Sequence, residues 1–492
     1  MLKKKSIVIG SGFAGLSSAC HLAFAGYEVT ILEKNNEAGG RARVFADQGF
    51  VFDMGPSWYW MPEVFEKFFS SFGKKVSDFY QLKRLDPSYR IYWGKEDFWD
   101  VPASFQELLH LFENEEMGAG NKLISYLHQA EYKYKTGVDD LVYRPGLSIR
   151  EFLDFRFLTG ALKLDVFTSM QKHIQKFFKS EKLRRLMEFP VLFLGATAEN
   201  TPALYSLMNY ADIRLGTWYP MGGMHRIVEA MKELALELGV NFKFNEEVNR
   251  ITVNDKKLIT GVSSTNAHFK ADVVIASADY RHIDQEVVPE HLRSYSHAYW
   301  DKRILAPSSL IFYLGVNKKL TGLQHHNLFF DEDFTNHAKE IYSNPQWPGK
   351  PLFYVSCPSV TDPGVAPVGN ENLFVLIPVA LDLMDTQEMR EFYYDLVMKR
   401  LEQLTGQSIK EHVLFKRSYA HKDFIKDYHS FKGNAYGLAN TLNQTAILKP
   451  SIRSKKIKNL FYAGQLTVPG PGVPPSLISG KVVADLISKT IH

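Results

Sequence analysis

A glycine-rich turn framed by two short apolar strands constrains this chain more than any other feature. Ile7-Val8-Ile9 reads as a buried strand that runs straight into Gly10-Ser11-Gly12-Phe13-Ala14-Gly15. A helical stretch follows with Leu16, Ala19, Leu22 and Ala23 on one face, then a second strand, Glu28-Val29-Thr30-Ile31-Leu32, ending on Glu33. Together these form a βαβ unit of the kind that binds a dinucleotide. Gly10 permits the tight turn, Gly12 lets backbone approach a pyrophosphate, and Gly15 lets the helix pack closely on the strand. The helix N-terminus at Phe13 and Ala14 offers free N–H groups and a positive dipole end to the phosphates. Glu33 is placed to accept hydrogen bonds from an adenosine ribose, and its charge disfavours the 2′-phosphate of NADP.

Beyond Glu33 and Lys34 the chain carries a second glycine pair and an arginine, Gly39-Gly40-Arg41. That addition is not part of the plain NAD pattern. It resembles the extended fingerprint of the flavin-containing amine oxidase and carotenoid desaturase superfamily. The resemblance implies FAD, with the glycines letting the chain pass close to the cofactor and Arg41 near its pyrophosphate and flavin end.

A chain of 492 residues is too long for one simple core and implies more than one domain. Hydrophobic residues make up 45% and charged residues 23%, which is ordinary for a globular protein. A net charge of +4 over this length gives no argument for nucleic acid. Cys20 and Cys357 are far apart, so a disulfide framework is not expected and a reducing cytoplasm fits. The sixteen histidines show no metal-ligand spacing, and no metal site is expected. Lys3-Lys4-Lys5 before an apolar stretch imitates a signal peptide, but cleavage there would destroy the glycine turn. No stretch reaches the roughly 18 apolar residues of a spanning helix.

The pattern predicts an α/β fold: a discontinuous Rossmann-like FAD-binding domain, an inserted α+β substrate domain and a helical membrane-facing region. The FAD-binding domain is expected over 1–72, 215–290 and 431–492. Its first piece extends through Phe52-Asp53-Met54-Gly55-Pro56-Ser57. Its second opens at Tyr219-Pro220-Met221-Gly222-Gly223-Met224, continues as a helix to Gly239, and then as strands near Val240–Phe244, Val248–Val253 and Ala271–Ser277. Its third is the strand Asn459–Gly464, a Gly/Pro-rich loop from Gln465 to Pro475, and a helix from about Ser476 to Ile487. Residues 73–214 read as a predominantly helical insert. Residues 291–430 read as a substrate-binding mixture, with strands at Leu310–Val316 and Leu373–Val379 and a helix around Glu388–Leu404.

The later motifs narrow the resemblance. Thr361-Asp362-Pro363, Ala366-Pro367-Val368-Gly369, Asp423-Phe424, Gly437-Leu438-Ala439-Asn440-Thr441-Leu442-Asn443-Gln444 and Pro469-Gly470-Pro471-Gly472-Val473-Pro474 follow in an order that resembles the bacterial phytoene desaturases, across nearly the whole chain. Amine oxidases usually place an acid after the glycine ending the last strand; here the pair is Gly464-Gln465. Neither cysteine occupies a late motif of the kind used for covalent flavin attachment, so the FAD is expected to be non-covalent. The resemblance assigns cofactor contacts to Gly10, Gly12, Phe13, Ala14, Gly15, Glu33 and Lys34, to Gly39, Gly40 and Arg41, and to Gly55, Pro56 and Ser57. It adds Val248, Gly464, Gln465, Gly472, Val473 and Pro474. It identifies no catalytic side chain.

The implied chemistry is successive dehydrogenation of phytoene, ending at lycopene, with a quinone or oxygen reoxidising the flavin. Other readings stay open: a related carotenoid desaturase or isomerase, a flavin amine oxidase, or a carotenoid carrier. A lipophilic carotenoid resides in the bilayer, so peripheral attachment to the inner face of the membrane is expected. The segment Lys163–Arg185 is its candidate surface, interleaving Lys172, Lys176, Lys179, Lys182, Arg184 and Arg185 with Val166, Phe167, Met170, Ile174, Phe177, Phe178 and Leu183.

Overall fold

The computed structural model describes residues 3–139, 141–148, 151 and 168–491. Five parallel strands form the cofactor-side sheet, in the order Leu460–Tyr462, Val273–Ala276, Lys5–Ile9 (β1), Glu28–Leu32 (β2) and Asn241–Lys243. Three separate stretches of sequence therefore rebuild one sheet. The alternation of side chains along β1 divides its surroundings. Val8 packs with Leu16 and Ala19 of helix α1 (Phe13–Phe24), whereas Ile7 and Ile9 join a second core with Val248, Ile251 and Val262. That second core lies under a three-stranded antiparallel sheet, Val248–Val253, Ile259–Ser264 and His268–Lys270.

Helix α1 is held between the helices His225–Glu237 and Val473–Thr490. The second crossing is very close: a Cβ at Gly480 would fall 2.4 Å from the Ala14 carbonyl oxygen. This helix starts three residues earlier than expected, at Val473 rather than near Ser476. Pro474 and Pro475 fall in its first turn, where the N–H groups have no intrahelical partner and proline is tolerated.

A seven-stranded sheet forms the other half. Its order is Val413–Tyr419, Ser308–Val316, Glu371–Val379, Phe353–Ser356, His326–Phe329, Tyr89–Tyr92 and Phe98–Val101. The helix Gln387–Thr405 covers one face through Tyr393, Tyr394, Val397, Met398 and Leu401. The insert 73–214 is helical over Phe105–Glu115 and Ala119–Asp139, yet it also contributes the last two strands of this sheet. The short, aromatic-rich strands Tyr89–Tyr92 and Phe98–Val101 carried no sequence signal strong enough to separate them from the helical reading.

The basic segment departs from the expected lipid-facing helix. Val166 and Phe167 lie outside the described residues. Met170, Ile174, Phe178 and Leu183 are all at 0% exposure in the main core, while Lys172, Lys176 and Lys179 are exposed. Lys182 pairs with Asp97 at 2.6 Å, and Arg185 with Glu188 at 3.1 Å. Where it is described, the apolar face of this segment is spent on the protein core. No helix among the described residues is long and apolar enough to cross a membrane.

The α1 crossing yields a test. Gly480→Val should force the Val473–Thr490 helix away from α1 and cost about 1–3 kcal/mol, the usual range for overpacking. A lower urea midpoint with unchanged slope is the expected outcome; an unchanged midpoint would show that the helices can separate freely.

Candidate functional site

One cavity runs from the C-terminal ends of the parallel strands to the open face of the seven-stranded sheet. Gly10, Gly12, Phe13, Ala14, Glu33, Lys34, Gly39, Gly40, Arg41, Gly55, Pro56, Ser57, Val248, Gly464, Gln465, Gly472, Val473 and Pro474 all line it. Gly15 is the one expected cofactor residue that does not. It works from behind: a Cβ there would lie 2.1 Å from the Gly10 carbonyl oxygen. At Gly12, by contrast, a Cβ would meet no protein atom within 4 Å, so the space it leaves faces the cavity. No side chain caps α1, which leaves its first N–H groups available to an anionic ligand. The N-terminus of the Val473–Thr490 helix, capped by Gly472 at φ +115°, opens on the same cavity.

Glu33 has more partners than the ribose role alone requires. Its Oε2 accepts from the Ser11 N–H and hydroxyl, both at 2.8 Å, and its Oε1 from the Asn35 N–H at 2.9 Å. The carboxylate thus ties the glycine turn to the end of β2 while facing the adenosine side of the cavity. Glu246, Glu247, His282 and His429 complete that side. The imidazoles of His282 and His429 stack at 3.9 Å, and His429 Nε2 lies 2.6 Å from Glu247. Lys34 lines the cavity, but its ammonium donates to the Lys426 carbonyl at 2.8 Å.

Arg41 joins two motifs that are far apart in sequence. In the amide orientation that pairs both of its ends, the Gln465 oxygen accepts from the two Arg41 NH groups at 2.9 and 3.0 Å. The Arg41 Nε is buried and has no hydrogen-bond partner in the protein. A buried guanidinium with an orphaned donor at the cavity wall fits an anionic cofactor. Burial raises the Asp279 carboxyl above the usual range, with Arg41 opposing the shift. Asp279, just beyond the end of the strand expected near Ala271–Ser277, lines the cavity too.

Four aspartate- or glycine-bearing motifs act as structural clamps. Asp53 accepts from the Met224 and His225 N–H groups at 2.7 and 2.9 Å, and a Cβ at Gly223 would strike its carboxylate at 2.8 Å. Asp362 accepts from the Gly222 N–H at 2.6 Å. Gly55 lets its loop pass the Arg41 carbonyl, since a Cβ there would lie 2.4 Å from that oxygen. Gly437 makes room for the Gln465 side chain. These residues hold cofactor loops in place.

The inner lobe has a different chemistry. Ile311, Leu376, Tyr354 and Leu328 form one cross-strand row on the open face of the sheet, joined by the register pairs Ile311–Leu376, Leu376–Tyr354 and Tyr354–Leu328. Phe330, Phe334, Ile341 and Leu352 extend the wall. The charged residues that line the cavity are Glu33, Lys34, Arg41, Glu246, Glu247, Asp279 and Asp427, none of them from these strands or from the helix Phe334–Tyr342. His337 is the titratable imidazole of the lobe. Burial lowers its pKa to about 4, and its two nitrogens face the Pro378 carbonyl at 2.9 Å and the Leu352 N–H at 3.1 Å. Sequence reasoning named none of these lobe residues. Leu373–Val379 is a continuous apolar run, so nothing local showed which of its faces is open.

A family model for flavin containing amine oxidoreductases matches residues 13–488. The chain belongs to that family. A carotenoid 3,4-desaturase from Haloarcula japonica is 40% identical over 486 residues, 98% of either chain. A zeta-carotene-forming phytoene desaturase from Myxococcus xanthus is 29% identical, over 99% of this chain and 95% of its own length. Among solved structures, an oxidoreductase from Methanosarcina mazei shares the fold with a TM-score of 0.65 at 17% identity, covering 98% of this chain and 100% of the other. The protein is an FAD-dependent oxidoreductase acting on CH–CH groups, related to the carotenoid desaturases. Neither cysteine lines the cavity: Cys20 is buried in α1 and Cys357 beside Glu371.

Two variants test the cofactor arm. Gly12→Val should put a branched side chain into the space facing the pyrophosphate and yield largely flavin-free protein. Glu33→Ala should remove charge-assisted hydrogen bonds worth about 1.5–3 kcal/mol each, weakening FAD roughly tenfold or more. Flavin absorbance per protein and titration of apoprotein with FAD provide the measurements; a fully yellow Gly12→Val protein contradicts the assignment.

Proposed function

We propose that this enzyme uses FAD to dehydrogenate a carotenoid, and that the bond oxidised is the 3,4 bond near the end of the chain. The observation that carries the carotenoid reading is the inner lobe, whose sheet row and aromatic wall bear no ionised group. Such a wall holds a long hydrocarbon at about 0.8 kcal/mol per buried CH₂. A cationic amine would arrive there without a carboxylate to pair it, which is costly. FAD supplies the hydride-accepting capacity that no side chain has. The work of the chain is to fix the polyene in one orientation and keep water from it.

Greater identity to the relative named a 3,4-desaturase, 40% against 29% for the phytoene desaturase, favours the 3,4 bond over successive oxidation of phytoene to lycopene. A lipid-soluble quinone or oxygen then takes the electrons. The protein works in the cytoplasm at the inner face of the membrane, where the exposed Lys172, Lys176 and Lys179 meet anionic lipid through charge.

Anaerobic enzyme mixed with liposomes containing a coloured acyclic carotenoid should lose its oxidised-flavin absorbance while the polyene spectrum shifts to the red; phytoene liposomes should give neither change. Oxidation of phytoene with the coloured carotenoid untouched reverses the choice of bond. A change of double-bond geometry alone replaces the reading with isomerisation. Separately, replacing the three lysines with Glu should weaken sedimentation with anionic liposomes at full flavin content, and added salt should weaken the wild type as well. Equal sedimentation of both proteins removes this surface from the account.

A further inference from the structure

We propose that Tyr354, backed by His326, takes the proton that leaves the substrate; this rests on the carotenoid dehydrogenation proposed above. Forming a new double bond removes two hydrogens, one as hydride and its neighbour as a proton. The apolar lobe offers few places for that proton. His337 is not one of them, because both of its nitrogens are engaged.

Tyr354 stands where the two halves of the cavity meet. Its hydroxyl is 3.1 Å from Ser57 Oγ, on the loop expected to hold FAD, and 2.6 Å from His326 Nδ1. Ser57 and Tyr354 both line the cavity, and His326 lies behind them at 0% exposure. The phenol has one proton, so when it points to His326 Nδ1 the Ser57 hydroxyl is the donor to the phenol oxygen. His326 Nε2 has no hydrogen-bond partner. A buried imidazole with an unpartnered nitrogen is costly compared with an apolar side chain of similar shape. Its ring lies over the Trp58 indole, with centroids 4.0 Å apart and planes 9° apart, a placement in which the indole face favours the protonated ring.

The step balances as follows. The C–H bond next to the carbon that gives up hydride breaks, and its electron pair becomes the new C=C bond. The proton goes to the Tyr354 oxygen as the phenolic proton passes to His326 Nδ1. FAD, held by the cavity's cofactor arm, would supply the acceptor for the hydride pair. The charge left by hydride departure makes the neighbouring hydrogen acidic enough for a neutral phenol–imidazole pair to receive it. Tyr354 faces the substrate; His326 acts through it and is a positioning residue. Around His326 stand Tyr354 from the adjacent strand, Ser57 and Trp58 from the cofactor-side loop, and His325 beside it in the chain. His325 is hydrogen bonded to Thr361 at 2.8 Å, and burial lowers its pKa to about 3. Burial also carries His326 well below the ordinary histidine range, with His325 adding to the shift. The pair is therefore ready to accept at neutral pH and is blocked only in acid.

The experiment compares wild type, Tyr354→Phe and His326→Phe, all as holoenzymes on carotenoid liposomes. Tyr354→Phe should keep its FAD and a KM within twofold, lose kcat by about a hundredfold, as for removal of an acid–base group, and lose the acid limb of the pH profile. His326→Phe, which keeps a ring over Trp58, should lose the same limb. In ¹⁵N-histidine NMR, the His326 resonance, assigned by its absence from His326→Phe, should shift in Tyr354→Phe. A Tyr354→Phe enzyme within threefold of wild-type kcat, a rise in KM alone, a retained acid limb or an unmoved His326 resonance would each overturn the relay. Failure of the wild type on every carotenoid overturns the underlying reading instead.

Discussion

Helix α1 sits closer to its neighbours than side chains permit, and the cofactor arm depends on that seat. Gly15 rests on the Gly10 carbonyl, and Gly480 of the C-terminal helix rests on the Ala14 carbonyl. Gly40 adds a third approach, with a Cβ there falling 3.2 Å from Gly12 Cα. These contacts fix where the uncapped N–H groups of α1 point. They also bring the Gly472-Val473-Pro474 helix start to the same cavity. A few tenths of an ångström matter here because the partners are backbone atoms, which cannot rotate aside as a side chain can.

The cavity joins two solvents in one space. Its cofactor arm is lined by charged groups that already have protein partners: Glu33 with Ser11 and Asn35, and Arg41 with Gln465. Its inner lobe is a sheet face of aliphatic and aromatic side chains. Burial of the sheet's opposite face under the helix Gln387–Thr405 leaves the inner face free to take a ligand. Behind the cavity lining, Asp53 and Asp362 clamp the 222–225 turn by accepting from its backbone N–H groups.

Much of the cofactor arm was legible in advance, and the reason is local. The strand, turn, helix and terminal acid between Ile7 and Glu33 form one continuous unit whose spacing is dictated by backbone geometry. The later strands Leu310–Val316 and Leu373–Val379 were legible from their apolar runs, as was the helix near Glu388–Leu404. The basic segment before Arg185 was legible as amphipathic, but amphipathicity does not say what covers the apolar face. Met170, Ile174, Phe178 and Leu183 turned out to face the core. Tyr89–Tyr92 and Phe98–Val101 read as part of a helical insert because they are four residues each, and the strand that ties their hairpin to the sheet, His326–Phe329, lies more than two hundred residues away.

The sequence by itself determined the dinucleotide turn, the acid at the end of β2, the second glycine pair and the order of the later motifs. Each of these rests on conformations that a few neighbouring residues impose on themselves. Only the tertiary structure decided which face of the seven-stranded sheet is open, why Asp53 and Asp362 carry their carboxylates, and that Ser57, Tyr354 and His326 meet. Ser57 and Tyr354 are 297 residues apart in the chain. Their contact is set by strand register and by the docking of two halves, neither of which leaves a mark in the local pattern of residues.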